Sequence, residues 1–231
     1  MRLEFAGLPG AGKTTVASLL KRELESLGHE TITNGDLSSY VQATRGLGVP
    51  RRYAHNFRAL AMWVTSPRRM RHLWGAFRSD DPTYAYRRLK YLTSRVVAQE
   101  ALSRGGECFI LDQGLYQNLW ALCRPLEMQA PGVFERLTGA LADFLPDLCV
   151  ILTVSPETAI SRMKSRSGQG CELDRKPSRE VEQLFEISAG LFDLIPHLQE
   201  RHGKASISLS GEDGNMDLAS VLSHFERIDA F

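Results

Sequence analysis

The chain has 231 residues, of which 43% are hydrophobic and 24% charged, and its formal net charge is +1. This length and apolar content suit a single α/β domain with room for a sizeable insertion and a substantial core. Four cysteines without C-x-x-C spacing argue against a disulfide framework and for reduced structural thiols; with no charged leader or long apolar stretch after Met1, a cytoplasmic protein without a membrane span is expected.

The first strand is expected at Leu3 to Ala6. It leads into Gly7-Leu8-Pro9-Gly10-Ala11-Gly12-Lys13-Thr14, a complete G-x-x-x-x-G-K-[ST] pattern, and then into helix-patterned sequence, which is the strand-loop-helix context the motif requires. A loop that wraps a polyphosphate must turn its backbone N–H groups inward and let oxygens approach closely, and Gly7, Gly10 and Gly12 permit this. The helix opening near Lys13 directs unpaired N–H donors and a positive dipole end at the same phosphates. Lys13 is placed to reach the β- and γ-phosphates and the Thr14 hydroxyl to ligate Mg²⁺. The stretch from Gly7 to Thr15, with Pro9 and Ala11 between the glycines, is the candidate ATP site.

Val16, Leu19, Leu20, Leu24 and Leu27 predict one buried helical face, stopped at Gly28. Glu30 to Thr33 reads as a second strand, ending at Asn34-Gly35-Asp36, with a helix from Leu37. Ligands of a parallel sheet bind at the carboxyl ends of its strands, so Asp36 is a candidate general base or acceptor ligand. A cap on the following helix is the plain alternative, and the two roles are compatible.

Twelve Lys or Arg and only two acids fall between Arg45 and Arg95. Pro67 and Pro82 each follow an N-cap signal, and the second helix is expected to run to Arg104, stopped by Gly105 and Gly106. Trp63, Trp74 and Phe77 interleave with Arg68, Arg69, Arg71 and Arg78. Three readings compete: a clamp on an anionic acceptor, a phosphate-backbone footprint for RNA with aromatics for stacking, or a solvated face. The charge excess of the segment favours a negatively charged partner.

A third strand at Glu107 to Leu111 closes on Asp112-Gln113-Gly114. An acid there is where a phosphate-loop enzyme holds Mg²⁺, usually through water, which makes Asp112 the second metal candidate. Helical patterns at Leu115 to Leu122 and Val133 to Phe144 precede a nearly continuous apolar strand at Leu148 to Val154, as expected for one covered on both faces. Ser155-Pro156-Glu157 supplies a cap, a proline and a first-turn acid for a helix carrying Arg162 and Arg166 on one face. The Gly-punctuated stretch through Cys171 to Asp174-Arg175-Lys176-Pro177 reads as an arginine-rich flap. One helix from Ser178 to Glu200, a fifth strand at Ala205 to Leu209, a loop at Ser210 to Gly214 placed near a purine, and a helix from about Asn215 complete the series.

The arrangement resembles P-loop small-molecule kinases of the nucleoside-monophosphate type, thymidylate kinases especially, at Gly7 to Thr14, at Ile110-Leu111-Asp112, and at Val154-Ser155-Pro156-Glu157 through Arg162 and Arg166. The resemblance implies a P-loop NTPase-type three-layer α/β/α fold with a five-stranded parallel sheet. It also implies a helical acceptor-binding insertion at about 45–105 and an arginine-bearing lid at about 166–176. In that family lid arginines close over ATP and stabilise the transferred group, a task the match gives to Arg162 and Arg166, with Arg175 a further candidate. Gln113 stands where thymidylate kinases normally carry an arginine, a departure at the acceptor site. Gly7 to Thr15, Gly35-Asp36 and Arg45-Gly46-Leu47-Gly48 with Arg51 and Arg58 are also similar to adenylylsulfate kinases, which suggests that Asp36, Arg45 and Arg58 face the acceptor.

The function expected is ATP-dependent phosphoryl transfer to a small, anionic acceptor such as a nucleotide or nucleoside, with Mg²⁺ as the metal. A kinase or ATPase acting on RNA through the basic segment is the alternative. The oligomeric state stays open, a homodimer included. A guanine-nucleotide switch is disfavoured, because no Asn precedes a Lys and no Asp has Gly three places on, so the N-K-x-D and D-x-x-G elements are missing.

Overall fold

Alternation along the strands decides the architecture. In a strand successive side chains point to opposite faces, and in the central strands both sets are buried and, apart from Glu4, apolar. Leu3 and Phe5, Cys108 and Ile110, and Leu148, Val150 and Leu152 enter one core, while Ala6, Cys149 and Ile151 enter another, with Phe109 and Leu111 in a smaller third cluster. A sheet with two apolar faces has to be covered by helices on both, and parallel pairing follows from the crossovers this requires. The computed structural model describes residues 1–46, 82–103, 106–123, 130–165, 178–212 and 217–229.

Five strands, β1 (Arg2–Gly7), β2 (Thr31–Thr33), β3 (Cys108–Leu111), β4 (Leu148–Thr153) and β5 (Ala205–Ser210), form one sheet in the order β2-β3-β1-β4-β5. Every neighbouring pair is parallel. One face is covered by α1 (Lys13–Ser26) and α9 (Leu218–Asp229), which bring Val16, Leu20, Leu24, Val221 and Phe225. The other is covered by α4 (Leu115–Cys123), α5 (Ala130–Ala140), α6 (Pro156–Ser165), α7 (Ser178–Asp193) and α8 (Ile195–Arg201). Over β3 on that side lie α2 (Asn34–Gly46) and α3 (Pro82–Leu102), through Leu37 and Ala98. The five strands and the α/β/α layering agree with the sequence expectation. No helix among the described residues is long and apolar enough to cross a membrane.

Several local expectations are corrected. On α1 only Val16, Leu20 and Leu24 are buried; Leu19 and Leu27 are exposed. Leu19 lies off the i, i+4, i+8 stripe, and Leu27 is the C-cap beyond the last packed turn. Gly28 does end the helix: the His29 N–H reaches the Leu24 carbonyl and the Gly28 N–H that of Glu25, a Schellman closure that needs the φ of +90° found at Gly28. α2 begins at Asn34 rather than Leu37. The helix expected from Ser178 to Glu200 is two, broken at Leu194, because Pro196 has no N–H to continue the ladder and starts α8 instead. α3 stops at Leu102, short of Arg104, and Ala142–Phe144 is a 3-10 turn separate from α5.

Candidate active site

The site lies where the chain leaves β1 and β3, at the carboxyl ends of the central strands, where the connection from β1 departs to one side of the sheet and that from β3 crosses to the other. The loop Gly7 to Gly12 is held against α6. A Cβ on Gly10 would stand 2.4 Å from the Ala159 carbonyl oxygen, and φ there is +90°. Gly12, with φ +93°, is the N-cap of α1, and no side chain caps that helix. The first turn of α1 is thus an open N-terminus of the kind that binds anions.

The Lys13 ammonium folds back to donate to the Gly7 and Leu8 carbonyls, both at 2.8 Å, so the cation sits inside the turn. The Thr14 hydroxyl donates to Asp112 Oδ2 at 2.7 Å, which brings the two expected metal ligands together from residues 98 apart in sequence. A hydroxyl and a carboxylate are the hard oxygen donors Mg²⁺ takes, and it is usually held by one or two protein groups with phosphate and water completing the shell. This donor pair fits that ion. Among the described residues no cluster of three or more His, Cys, Asp and Glu offers a denser metal cage. Thr15 and Pro9 stand at the surface of the loop, while Ala11 is buried beneath it.

Asp36 is exposed and takes the capping role. Its Oδ2 accepts from the Thr33 N–H at 2.8 Å and the Thr33 hydroxyl at 2.7 Å, closing the N-terminus of α2. Partial burial works to raise its carboxyl, but the Thr33 hydrogen bonds and the nearby Lys21 charge outweigh this and hold it below its ordinary value. Gln113 is exposed beside Asp112, and its backbone carbonyl accepts from the Asn118 amide. Arg162 donates to the Glu212 carbonyl at 2.7 Å, in the loop after β5. The Glu212 carboxylate meanwhile accepts from the Thr158 hydroxyl and the Ser155 N–H at the start of α6, and these bonds, the Thr158 one foremost, keep it below its ordinary pKa. Ser155 caps α6 as the sequence predicts, its hydroxyl accepting from the Thr158 N–H at 3.2 Å. The Arg45 side chain, Arg58, Arg166, Arg175, the segment 47–81 and the lid at 166–176 lie outside the described residues.

Three residues of this region were not legible in the sequence. Asn34 donates through Nδ2 to Asp112 Oδ1, on the side away from Thr14. Arg95, on α3, donates to the Asn34 carbonyl at 2.6 Å, to the Ser38 hydroxyl at 2.7 Å and to the Tyr91 hydroxyl at 2.8 Å. Glu4, inside the run read as apolar, is fully buried on β1 and accepts from the Leu115 N–H at 2.8 Å and the Gln117 N–H at 3.1 Å, anchoring the start of α4 behind Asp112. An acid in a buried central strand is itself a signal, since its carboxyl must find donors. Nothing in the local pattern of Asn34 or Arg95 marks them, because their partners come from distant segments.

No family model matches the chain. A thymidylate kinase from Ruegeria pomeroyi is 28% identical over 239 residues, an alignment spanning 98% of this chain and 92% of that protein. Among solved structures, deoxyadenosine kinase from M. mycoides with dCMP and dCDP aligns at a TM-score of 0.54 and 14% identity, over 100% of both chains. The same enzyme with dATP aligns at 0.51 and 14% identity, over 99% of both. The fold is of the P-loop NTPase type.

Proposed function

We infer that this chain is a P-loop kinase that moves the γ-phosphate of ATP to a nucleotide or nucleoside. The observation that carries the reading is the meeting of the Thr14 hydroxyl and the Asp112 carboxylate at 2.7 Å beside a glycine-lined helix N-terminus. That combination suits a metal-bound polyphosphate. The whole-length similarity to a thymidylate kinase supports a nucleotide-type acceptor.

In this reading Lys13 exchanges its two loop carbonyls for phosphate oxygens, a swap that needs only rotation of a flexible side chain. Thr14 and Asp112 hold Mg²⁺, which when bound neutralises charge on the phosphate oxygens. Arg162, whose guanidinium reaches the loop after β5, lies over the nucleotide, Arg166 is given the same task by the family resemblance alone, and Asp36 and Gln113 border the acceptor. The chemistry asks chiefly for positioning and charge neutralisation.

The test is ATP consumption by the purified chain with Mg²⁺ against a panel of nucleosides and nucleotides, with Lys13→Ala as control. Acceptor-stimulated turnover that falls at least roughly a hundredfold in the variant is the expected result. Equal turnover in the two proteins, or none with any acceptor, overturns the reading.

A further inference from the structure

The two oxygens of the Asp112 carboxylate are held by two different helices. Thr14, in the first turn of α1, donates to Oδ2 at 2.7 Å, and Asn34, at the start of α2, donates to Oδ1 through Nδ2. A carboxylate held at one oxygen can still turn about its Cβ–Cγ bond, whereas one held at both has its plane fixed. The Asn34 amide cannot be flipped without setting its own oxygen against the carboxylate, so its donor end faces Asp112.

Asn34 is fixed in its turn. Its backbone carbonyl accepts from Arg95 Nη1 at 2.6 Å, while Nη2 of the same guanidinium donates to the Ser38 hydroxyl on α2 at 2.7 Å and to the Tyr91 hydroxyl on α3 at 2.8 Å. The guanidinium also lies 4.9 Å from the centre of the Tyr91 ring. Arg95 thus ties the start of α2 to α3, and the Asn34 side chain carries that placement on to Asp112. Groups that hydrogen-bond a metal-binding carboxylate set its orientation, and losing one typically costs about 10–100-fold in metal affinity or activity. Mg²⁺ is sensitive to such orientation because it demands near-octahedral geometry. The Thr14 hydroxyl can offer a lone pair to a metal while its proton stays on Asp112, so the observed bond is compatible with metal binding.

We propose that Asn34 and Arg95 are positioning residues for metal-bound ATP: Asn34 orients the Asp112 carboxylate directly, and Arg95 acts through Asn34. The proposal rests on the kinase reading above. It adds to it the side chains that hold the metal-site acid in place, contributed by the helices that precede and follow residues 47–81.

The test measures dissociation constants by calorimetry for MgATP and for ATP in EDTA, in the wild type, Asn34→Ala, Arg95→Met and the double variant. The melting temperature of each protein without nucleotide is recorded alongside. The ratio of the two constants isolates the metal's share of binding, and a purely structural role for either residue would not move it. The wild type is expected to bind MgATP at least about tenfold more tightly than ATP alone, and Asn34→Ala to reduce that advantage to about threefold or less, with metal-free ATP within about twofold of wild type. Arg95→Met is expected to fall between them. Asn34→Ala keeps the backbone carbonyl that Arg95 bonds, so adding Arg95→Met to it should lower the melting temperature while leaving the ratio where Asn34→Ala puts it. A wild-type ratio in Asn34→Ala, whatever its melting temperature, overturns the proposal and leaves the kinase reading standing. A further fall of the ratio in the double variant overturns the route from Arg95 through Asn34. If the wild type binds ATP with no advantage from Mg²⁺, Asp112 serves no metal and the proposal fails; if it binds neither form, the kinase reading fails with it.

Discussion

Glu4 shows how a single residue can couple the sheet to the catalytic end of the molecule. Burial drives its carboxyl from an ordinary 4.5 up to about 8, against the pull of the Gln117, Leu115 and Tyr116 N–H groups and the Lys13 charge. The sign for stability follows from which state ionises first. Below about 4.5 the acid is protonated whether the chain is folded or not, and its contribution is intact; between about 4.5 and about 8 the unfolded chain ionises while the folded one stays neutral. Stability from this group therefore falls by about 1.4 kcal/mol per pH unit across that window and is lost once pH has passed the folded value. Glu4→Gln, neutral at every pH and still able to accept a hydrogen bond, should flatten the decline. Melting temperatures of the two proteins from pH 4.5 to 9 check this: the curves should diverge toward alkaline pH, with the variant the more stable, and parallel curves would remove Glu4 as their cause. Lys13, Thr14 and Asp112 were legible from the sequence because a local motif fixes them. Glu4 was hidden because Leu3, Phe5 and Ala6 make the strand read as apolar, and its donors lie more than a hundred residues away.

At the scale of elements, two close approaches determine how the phosphate loop and α4 meet their neighbours. A Cβ on Gly114 would fall 2.4 Å from the Glu4 carboxyl carbon, so the turn from Asp112 into α4 packs directly on that acid. Gly114→Ala should cost about 1–3 kcal/mol by overpacking, read as a lower denaturation midpoint with an unchanged slope. A midpoint within experimental scatter of wild type would show that Glu4 can move aside. Gly10→Ala meets a harder obstacle, the Ala159 backbone oxygen at 2.4 Å, at a φ of +90° that an alanine rarely adopts. It should weaken ATP binding at least roughly tenfold as well as stability, and ATP affinity equal to wild type by calorimetry would contradict the packing described. These contacts were not readable in advance, whereas the elements they join were. The strand expectations fall within about one residue of the observed ends, since strands here are bounded by clear polar or glycine punctuation. The one long helix after the flap failed because periodicity continues through Leu194 while Pro196 interrupts the backbone ladder.

At the scale of the molecule, the order β2-β3-β1-β4-β5 is what puts Thr14 and Asp112 side by side. The sequence predicts five parallel strands but not their order, because strand pairing is a long-range choice among similar apolar surfaces. Once β1 lies between β3 and β4, the loop after β1 and the acid after β3 open at the same edge, and a ligand bound there bridges segments that are otherwise far apart in sequence. Such a ligand binds the folded chain alone, so it must stabilise the whole domain by mass action. With MgATP at about a hundred times its dissociation constant the gain is about 2.7 kcal/mol. For a chain of this length each kcal/mol raises the melting temperature by about 2–4 °C, so the expected shift is about 5–10 °C. Lys13→Ala should lose most of the shift, because it removes the cation that the Gly7 and Leu8 carbonyls hold at the loop where phosphate oxygens would meet it. Magnesium alone should shift the melt far less than magnesium with ATP, since two protein oxygens leave most of its shell to water. A wild-type melt that MgATP does not move would mean that the β1 and β3 loops, though adjacent, do not grip a polyphosphate, and it would do so without any knowledge of the acceptor.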